Sequence, residues 1–96
     1  MIEVRETDEY RRWFEGLRDR ATQLRIGLRI RRLALGNLGD VRPVGGGVSE
    51  LRIAHGPGYR VYFVQRGDAL IILLGGGDKS TQGRDINRAR QLARRL

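Results

Sequence analysis

Cysteine is absent from the chain, which excludes disulfides, thiolate metal ligands and a cysteine nucleophile. Histidine occurs once, at His55, and lysine once, at Lys79, and no aromatic residue follows Phe63. Long apolar runs are missing: the longest, Ala69 to Leu74, falls far short of the ~20 residues that cross a bilayer. Met1-Ile2-Glu3-Val4-Arg5 lacks an apolar signal core, so a soluble cytoplasmic protein with no membrane partner is expected. The acidic residues fall in no calcium or zinc spacing, and no metal or cofactor is expected. Gly75 to Thr81 is no Walker phosphate loop, because Asp78 interrupts the Gly-Lys-Ser order. Repeats, linkers and low-complexity stretches are also absent.

What the sequence does have is positive charge. It carries 19 basic against 11 acidic residues, a formal net charge of +8 on 96 residues. That length fits a single domain over 1–96 with one modest core. A surplus this large favours a polyanionic partner: RNA, DNA, the ribosome or an acidic protein. A GC-rich genome accounts for arginine at every basic position but Lys79; it accounts less well for the excess over acids.

The first third reads as helical. Ile2 and Val4 alternate with charges, as in a short edge strand over 1–6. Thr7 or Asp8 can cap a helix whose apolar face is Tyr10, Trp13, Phe14 and Leu17. Asp19 marks a kink or a restart. Beyond it Ala21, Leu24, Leu28 and Leu35 share one helical face and Ile26, Ile30 and Leu33 lie roughly opposite. An apolar pattern on two sides predicts a helix sandwiched between a neighbouring helix and a sheet. Arg25, Arg29 and Arg32 form the remaining stripe, and Gly36 supplies the C-terminal stop.

Strand patterns follow. In Val48–Ala54, Ser49, Leu51 and Ile53 alternate with Glu50 and Arg52. His55-Gly56-Pro57-Gly58 is a turn, Tyr59–Arg66 a second strand, and Ala69–Leu74 a third after Gly67-Asp68, giving an antiparallel meander. Gly75-Gly76-Gly77-Asp78-Lys79 is expected to end that strand. Ser80 or Thr81 then caps a short last helix with Ile86, Ala89, Ala93 and Leu96 on its apolar face.

Three segments in order, GNLGDVRPVGGGVSELRI, HGPGYRVYF and LLGGGDKSTQGRDI, resemble the HigB-type addiction-module killer proteins of the RelE/ParE toxin superfamily. With the upstream helices the resemblance covers nearly the whole chain. It implies an α+β, RelE-like (microbial ribonuclease-like) fold: an N-terminal helical hairpin on a curved antiparallel sheet, and a short C-terminal helix. It also implies a metal-independent endoribonuclease that cuts mRNA in the ribosomal A site, neutralised by a HigA-like helix-turn-helix antitoxin.

Such cleavage needs a base for the 2′-OH, an acid for the 5′-oxygen and, above all, stabilisation of the charged phosphorane. Arginine suits the last task, with a planar fork matched to phosphate oxygens. Arg60, in Gly58-Tyr59-Arg60, resembles the family's phosphate-binding arginine; the alternative is an arginine in an ion pair with Glu50. Arg52 is similar to the family's basic position on the preceding strand, and closure at His55–Gly58 brings the two arginines near each other. Lys79 resembles the basic position before the last helix, either a proton shuttle or a point charge on a loop. His55 is the natural acid–base group by its ordinary pKa, or a polar turn residue. Asp85 is a general base, or an acid favoured by the helix dipole.

For RNA binding the candidates are Arg25, Arg29 and Arg32, directed at ribosomal RNA or the antitoxin; Tyr59 and Tyr62 as stacking groups; and outward backbone N–H groups at Ser80, Thr81 and Gln82. RelE itself has a tyrosine near its C-terminus that this chain lacks. A ParE-like inhibitor of DNA gyrase, the same fold without RNA cleavage, is the competing reading. A generic RNA-binding module is the third, and it requires exposed stacking aromatics.

Overall fold

The computed structural model describes residues 1–96. The chain runs β1 (Glu3–Glu6), α1 (Asp8–Glu15), α2 (Arg20–Ala34), β2 (Val41–Gly45), β3 (Val48–Ile53), β4 (Tyr59–Arg66), β5 (Leu70–Gly77), a 3-10 turn (Lys79–Thr81) and α3 (Gln82–Ala93). The helix starts are chemically explicit. Thr7 Oγ1 accepts from the Tyr10 N–H at 3.2 Å and donates to the Leu73 carbonyl at 2.8 Å, so one cap also ties α1 to β5. Asp19 restarts the helix by accepting from the Ala21 N–H at 3.1 Å. At the end of α2, the Gly36 N–H bonds to the Leu33 carbonyl and the Asn37 N–H to that of Arg32. Gly36 takes φ +93° there, a reversal that costs a residue with a Cβ about 1–2 kcal/mol.

The five strands lie in the order β1-β5-β4-β3-β2. From β2 to β5 the sheet is the expected antiparallel meander. β1 instead joins β5 in parallel, with Glu3 opposite Leu70, so the sheet is mixed rather than antiparallel and the helices follow a strand. The Ile2/Val4 alternation marks a face but carries no direction. The long path from β1 to β5 lets the strand lie either way. The last helix is not short either: its 12 residues exceed the 8 of α1.

Side chains of both sheet faces are buried. Leu51, Ile53, Val61, Phe63, Ile71 and Leu73 pack beneath Tyr10, Ile26 and Leu33 of the first two helices. On the reverse, Val48, Tyr62, Val64 and Leu74 pack beneath Ala89 of α3, with Ile86 and Leu92 beside it. Each large aliphatic so buried contributes roughly 1.5–3 kcal/mol.

Two features depart from the sequence pattern. In α2 the Ile26/Ile30/Leu33 stripe faces the sheet, but Leu24, Leu28 and Leu35 stay 65, 55 and 55 % exposed. The sandwich does not form because α1 packs on β5 instead of covering α2. And β5 continues through Gly75, Gly76 and Gly77. Its register with β4 shifts between Tyr62 and Phe63: Leu73 opposes Phe63 and Gly75 opposes Tyr62, leaving Leu74 as the extra residue of a bulge. Past the bulge, Gly75 and Gly77 share the α3 face with Tyr62 and Arg60, and Gly76 turns toward Trp13.

Candidate functional site

The α3 face of the sheet carries a small grid of polar residues. Arg52 of β3 pairs across the hairpin with Arg60 of β4, which in turn opposes Gly77 of β5. One step along, Glu50, Tyr62 and Gly75 form the parallel row. The period-2 geometry of both strands puts all of these on one surface. The N-terminal part of α3 comes down over them.

Glu50 lies at the centre and is 2 % exposed. The Tyr62 hydroxyl donates to its Oε2 at 3.1 Å and the Gln82 side-chain amide does so at 2.8 Å. Arg52 Nε lies 3.8 Å from Oε1 and Arg60 Nε 4.0 Å from Oε2. A buried carboxylate is tolerable only with this many donors. Burial and the Glu50 carboxylate push the Tyr62 hydroxyl well above the usual phenol range, so it stays a donor.

Arg60, 5 % exposed, donates through Nη1 to the Gly58 carbonyl, while its Nε finds no hydrogen-bond partner. The ion pair with Glu50 is therefore present, though long and buried rather than solvated. Arg52 keeps part of its side chain exposed, and its carbonyl is held by Arg29 Nη1 of α2 at 3.0 Å. Lys79 is exposed, and its Cβ lies 3.7 Å from where a Cβ on Gly58 would stand. Arg52, Arg60 and Lys79, drawn from two strands and the turn after a third, thus occupy one neighbourhood. Asp85 sits over Gly77, its Oδ2 accepting from the Thr81 hydroxyl at 2.5 Å.

Several expected members lie elsewhere. His55 points to the α1/α2 side, where Nε2 meets Thr22 Oγ1 at 3.1 Å and Asp19 at 3.9 Å; the hairpin turn aims it away from the arginines. Tyr59 is partly buried on the same side, 6.4 Å from the His55 ring, and Tyr62 is fully buried, so neither is an exposed aromatic beside the arginines. A generic RNA module loses the exposed aromatics it requires. Arg29 is spent on the carbonyls of Arg52 and Leu38, which separates it from the exposed Arg25 and Arg32.

The backbone anion site before α3 is also occupied from within. Asp78 Oδ1 accepts from the Ser80 N–H at 2.8 Å and from its hydroxyl at 2.5 Å, and the Thr81 N–H bonds to the Asp78 carbonyl. These bonds from Ser80, with Arg60 adding to them, hold the Asp78 carboxyl below its ordinary value. Thr81 stands at the cap position of α3 without capping it, and the Gln82 side chain turns inward to Glu50. Sequence reasoning missed Glu50 as the hub. Its alternation with Arg52 and opposite Tyr62 was the available signal.

No three His, Asp or Glu side chains converge as a metal-ligand set, and no helix is long and apolar enough to cross a membrane. Residues 12–96 match the family model described as phage derived protein Gp49-like (DUF891). An uncharacterized protein of Haemophilus influenzae is 44% identical over 95 residues, covering 99% of this chain and 96% of the relative. The chain therefore belongs to the Gp49-like phage-derived family, a toxin-like family of toxin–antitoxin systems.

Proposed function

We propose that this protein is the toxin of a type II toxin–antitoxin pair and acts as a metal-independent, ribosome-dependent mRNA endonuclease. The observation that carries the reading is the pairing of Arg52 with Arg60 on one sheet face, with the Lys79 backbone turn beside Gly58. Like charges gathered in this way repel unless an anion joins them, and Glu50 answers only part of the charge. In the proposed reaction the 2′-OH gives its proton to Asp85, whose Oδ2 is positioned by Thr81. The 2′-oxygen bonds to phosphorus, the P–O5′ bond breaks, and O5′ takes a proton from Lys79. Arg52 and Arg60 hold the phosphorane oxygens, a role whose removal typically costs 10²–10³ in rate. His55, aimed at Thr22 and Asp19, has no part in this scheme.

The partner that silences the toxin is a cognate helix-turn-helix antitoxin of the HigA type. Leu24, Leu28 and Leu35 offer it an apolar stripe. In α2 that stripe is flanked by arginines, and the helix carries no acid, so an acidic helix fits there and a second copy of this chain does not.

Primer extension on cellular mRNA after induction tests the reading. Site-specific cuts are expected only while ribosomes translate, and Arg60→Ala is expected to fold yet lose growth arrest. Intact mRNA with gyrase-linked DNA breaks would instead select the inhibitor of DNA gyrase.

A further inference from the structure

Three successive glycines end β5, and packing explains two of them. A Cβ on Gly76 would run into the indole of Trp13, and one on Gly77 into the Asp85 carboxylate. Gly75 is different. Its φ lies outside the left-handed region, and a Cβ there would meet no heavy atom within 4 Å. A glycine inside a strand costs roughly 0.5–1 kcal/mol relative to alanine, and no side chain packs into the space in front of this one. Strand glycines mark bulges and places where a ligand approaches the backbone closely; Gly75 adjoins the Leu74 bulge and also faces open space.

In front of Gly75 lies a cavity of about 400 Å³, set between α1 and α3. It opens beyond the point where β1 ends at Glu6, so this half of β5 is paired with β4 on one edge and free on the other. Trp13, Tyr62, Leu74 and Leu92 give it apolar walls, and Arg12 and Arg88 stand at its rim. Arg12 is answered by Glu9 at 3.6 Å; Arg88 has no ion-pair partner. Asp85 and Glu9 also line the cavity, so apolar walls and charged groups are mixed, and a cavity of this size suits a small planar ligand with polar edges.

We propose that this cavity is a base-binding subsite, in which a guanine of the RNA strand seats over Gly75 while its neighbouring phosphate lies on Arg52 and Arg60. The inference rests on the nuclease reading for its RNA strand. Gly75 and Gly77 are two residues apart on one face, about 6.8 Å along the strand, and Gly77 opposes Arg60. Asp85 both lines the cavity and stands over Gly77, so the cavity adjoins the cationic site. A guanidinium recognises the paired acceptors O6 and N7 of guanine. Adenine puts an amino donor in place of O6, and a pyrimidine has no such pair. Arg88 thus favours guanine.

Trp13 is the single tryptophan of the chain, so its fluorescence reports on the cavity without cleavage being required. The full-length protein is titrated with GMP, AMP and UMP, corrected for nucleotide absorbance. Quenching by GMP with a Kd at least tenfold below those for AMP and UMP is expected. Gly75→Leu should remove the quenching without lowering the melting temperature, and Arg88→Ala should abolish the tenfold preference. Equal responses to the three nucleotides, no response to GMP, or unchanged GMP binding by Gly75→Leu would each overturn the subsite. If GMP binds as expected but induced cells show no mRNA cleavage, the nuclease reading fails and the subsite stands. If wild type and Gly75→Leu cut the same sites with the same base preference, the subsite fails and the nuclease reading stands.

Discussion

Truncating Glu50 should cost far more than truncating Arg60, although the two share an ion pair. Glu50→Ala strips the acceptor from the Tyr62 hydroxyl and the Gln82 amide and removes the counter-charge from Arg52 and Arg60. Gln82 and Arg52 are partly exposed and can turn to water. The Tyr62 hydroxyl and the Arg60 Nε, both buried, cannot. Leaving a buried charge unpaired costs about 3–5 kcal/mol. Arg60→Ala leaves Glu50 with Arg52, Tyr62 and Gln82, so its cost is an ordinary ~1–2 kcal/mol. For a domain this size 1 kcal/mol moves Tm by about 4–8 °C. The expected losses are then roughly 12–40 °C for Glu50→Ala and roughly 4–16 °C for Arg60→Ala, read by thermal melting and checked by urea titration. In Glu50→Ala, inorganic phosphate at ten times its Kd should return about 1.4 kcal/mol by taking the vacated place between the arginines. Equal losses in the two alanine variants, or the reverse order, would refute the assignment of Glu50 as the hub.

Two further outcomes follow from contacts outside that hub. Hydrogen bonds from Ser80 hold the Asp78 carboxyl below its ordinary value; a depressed carboxyl stabilises above its unfolded pKa, near ~3.9, and that stability is lost as pH falls through the folded value. The melting-temperature gap between wild type and Asp78→Ala should therefore be constant from neutral pH to about 5 and narrow below about 4; a gap of full size at pH 2 would contradict this. The exposed α2 leucines contribute little to the core, so Leu24→Ser with Leu28→Ser should change stability by no more than about 0.5 kcal/mol per site. The same pair should prevent co-purification with the co-expressed cognate antitoxin, and an undiminished complex would place the antitoxin elsewhere.

Strand alternation made the sheet faces legible. Leu51 and Ile53 go to one side and Glu50 and Arg52 to the other, and a hairpin closing at His55–Gly58 then sets Arg52 against Arg60. What the sequence did not disclose depends on elements distant along the chain. Gln82 reaches Glu50 from 32 residues away, and only that arrival distinguishes Glu50 from the other acids. The outer leucines of α2 carry the same periodicity as its sheet-facing isoleucines. Coverage depends on where α1 lies, and α1 lies on β5.

The glycine triplet shows why local rules misread this region. Gly75-Gly76-Gly77 signals a loop because glycine weakens strands, yet β5 continues through it, held by β4 on one side. At Gly76 and Gly77 the missing side chains make room for Trp13 and Asp85, groups brought in by two helices on opposite faces. The strand therefore survives its composition by borrowing its packing from α1 and α3. At Gly75 neither helix fills the space. Gly75 alone of the three has open space where a Cβ would stand, facing the cavity, and a side chain placed there is the direct way to learn what the cavity holds.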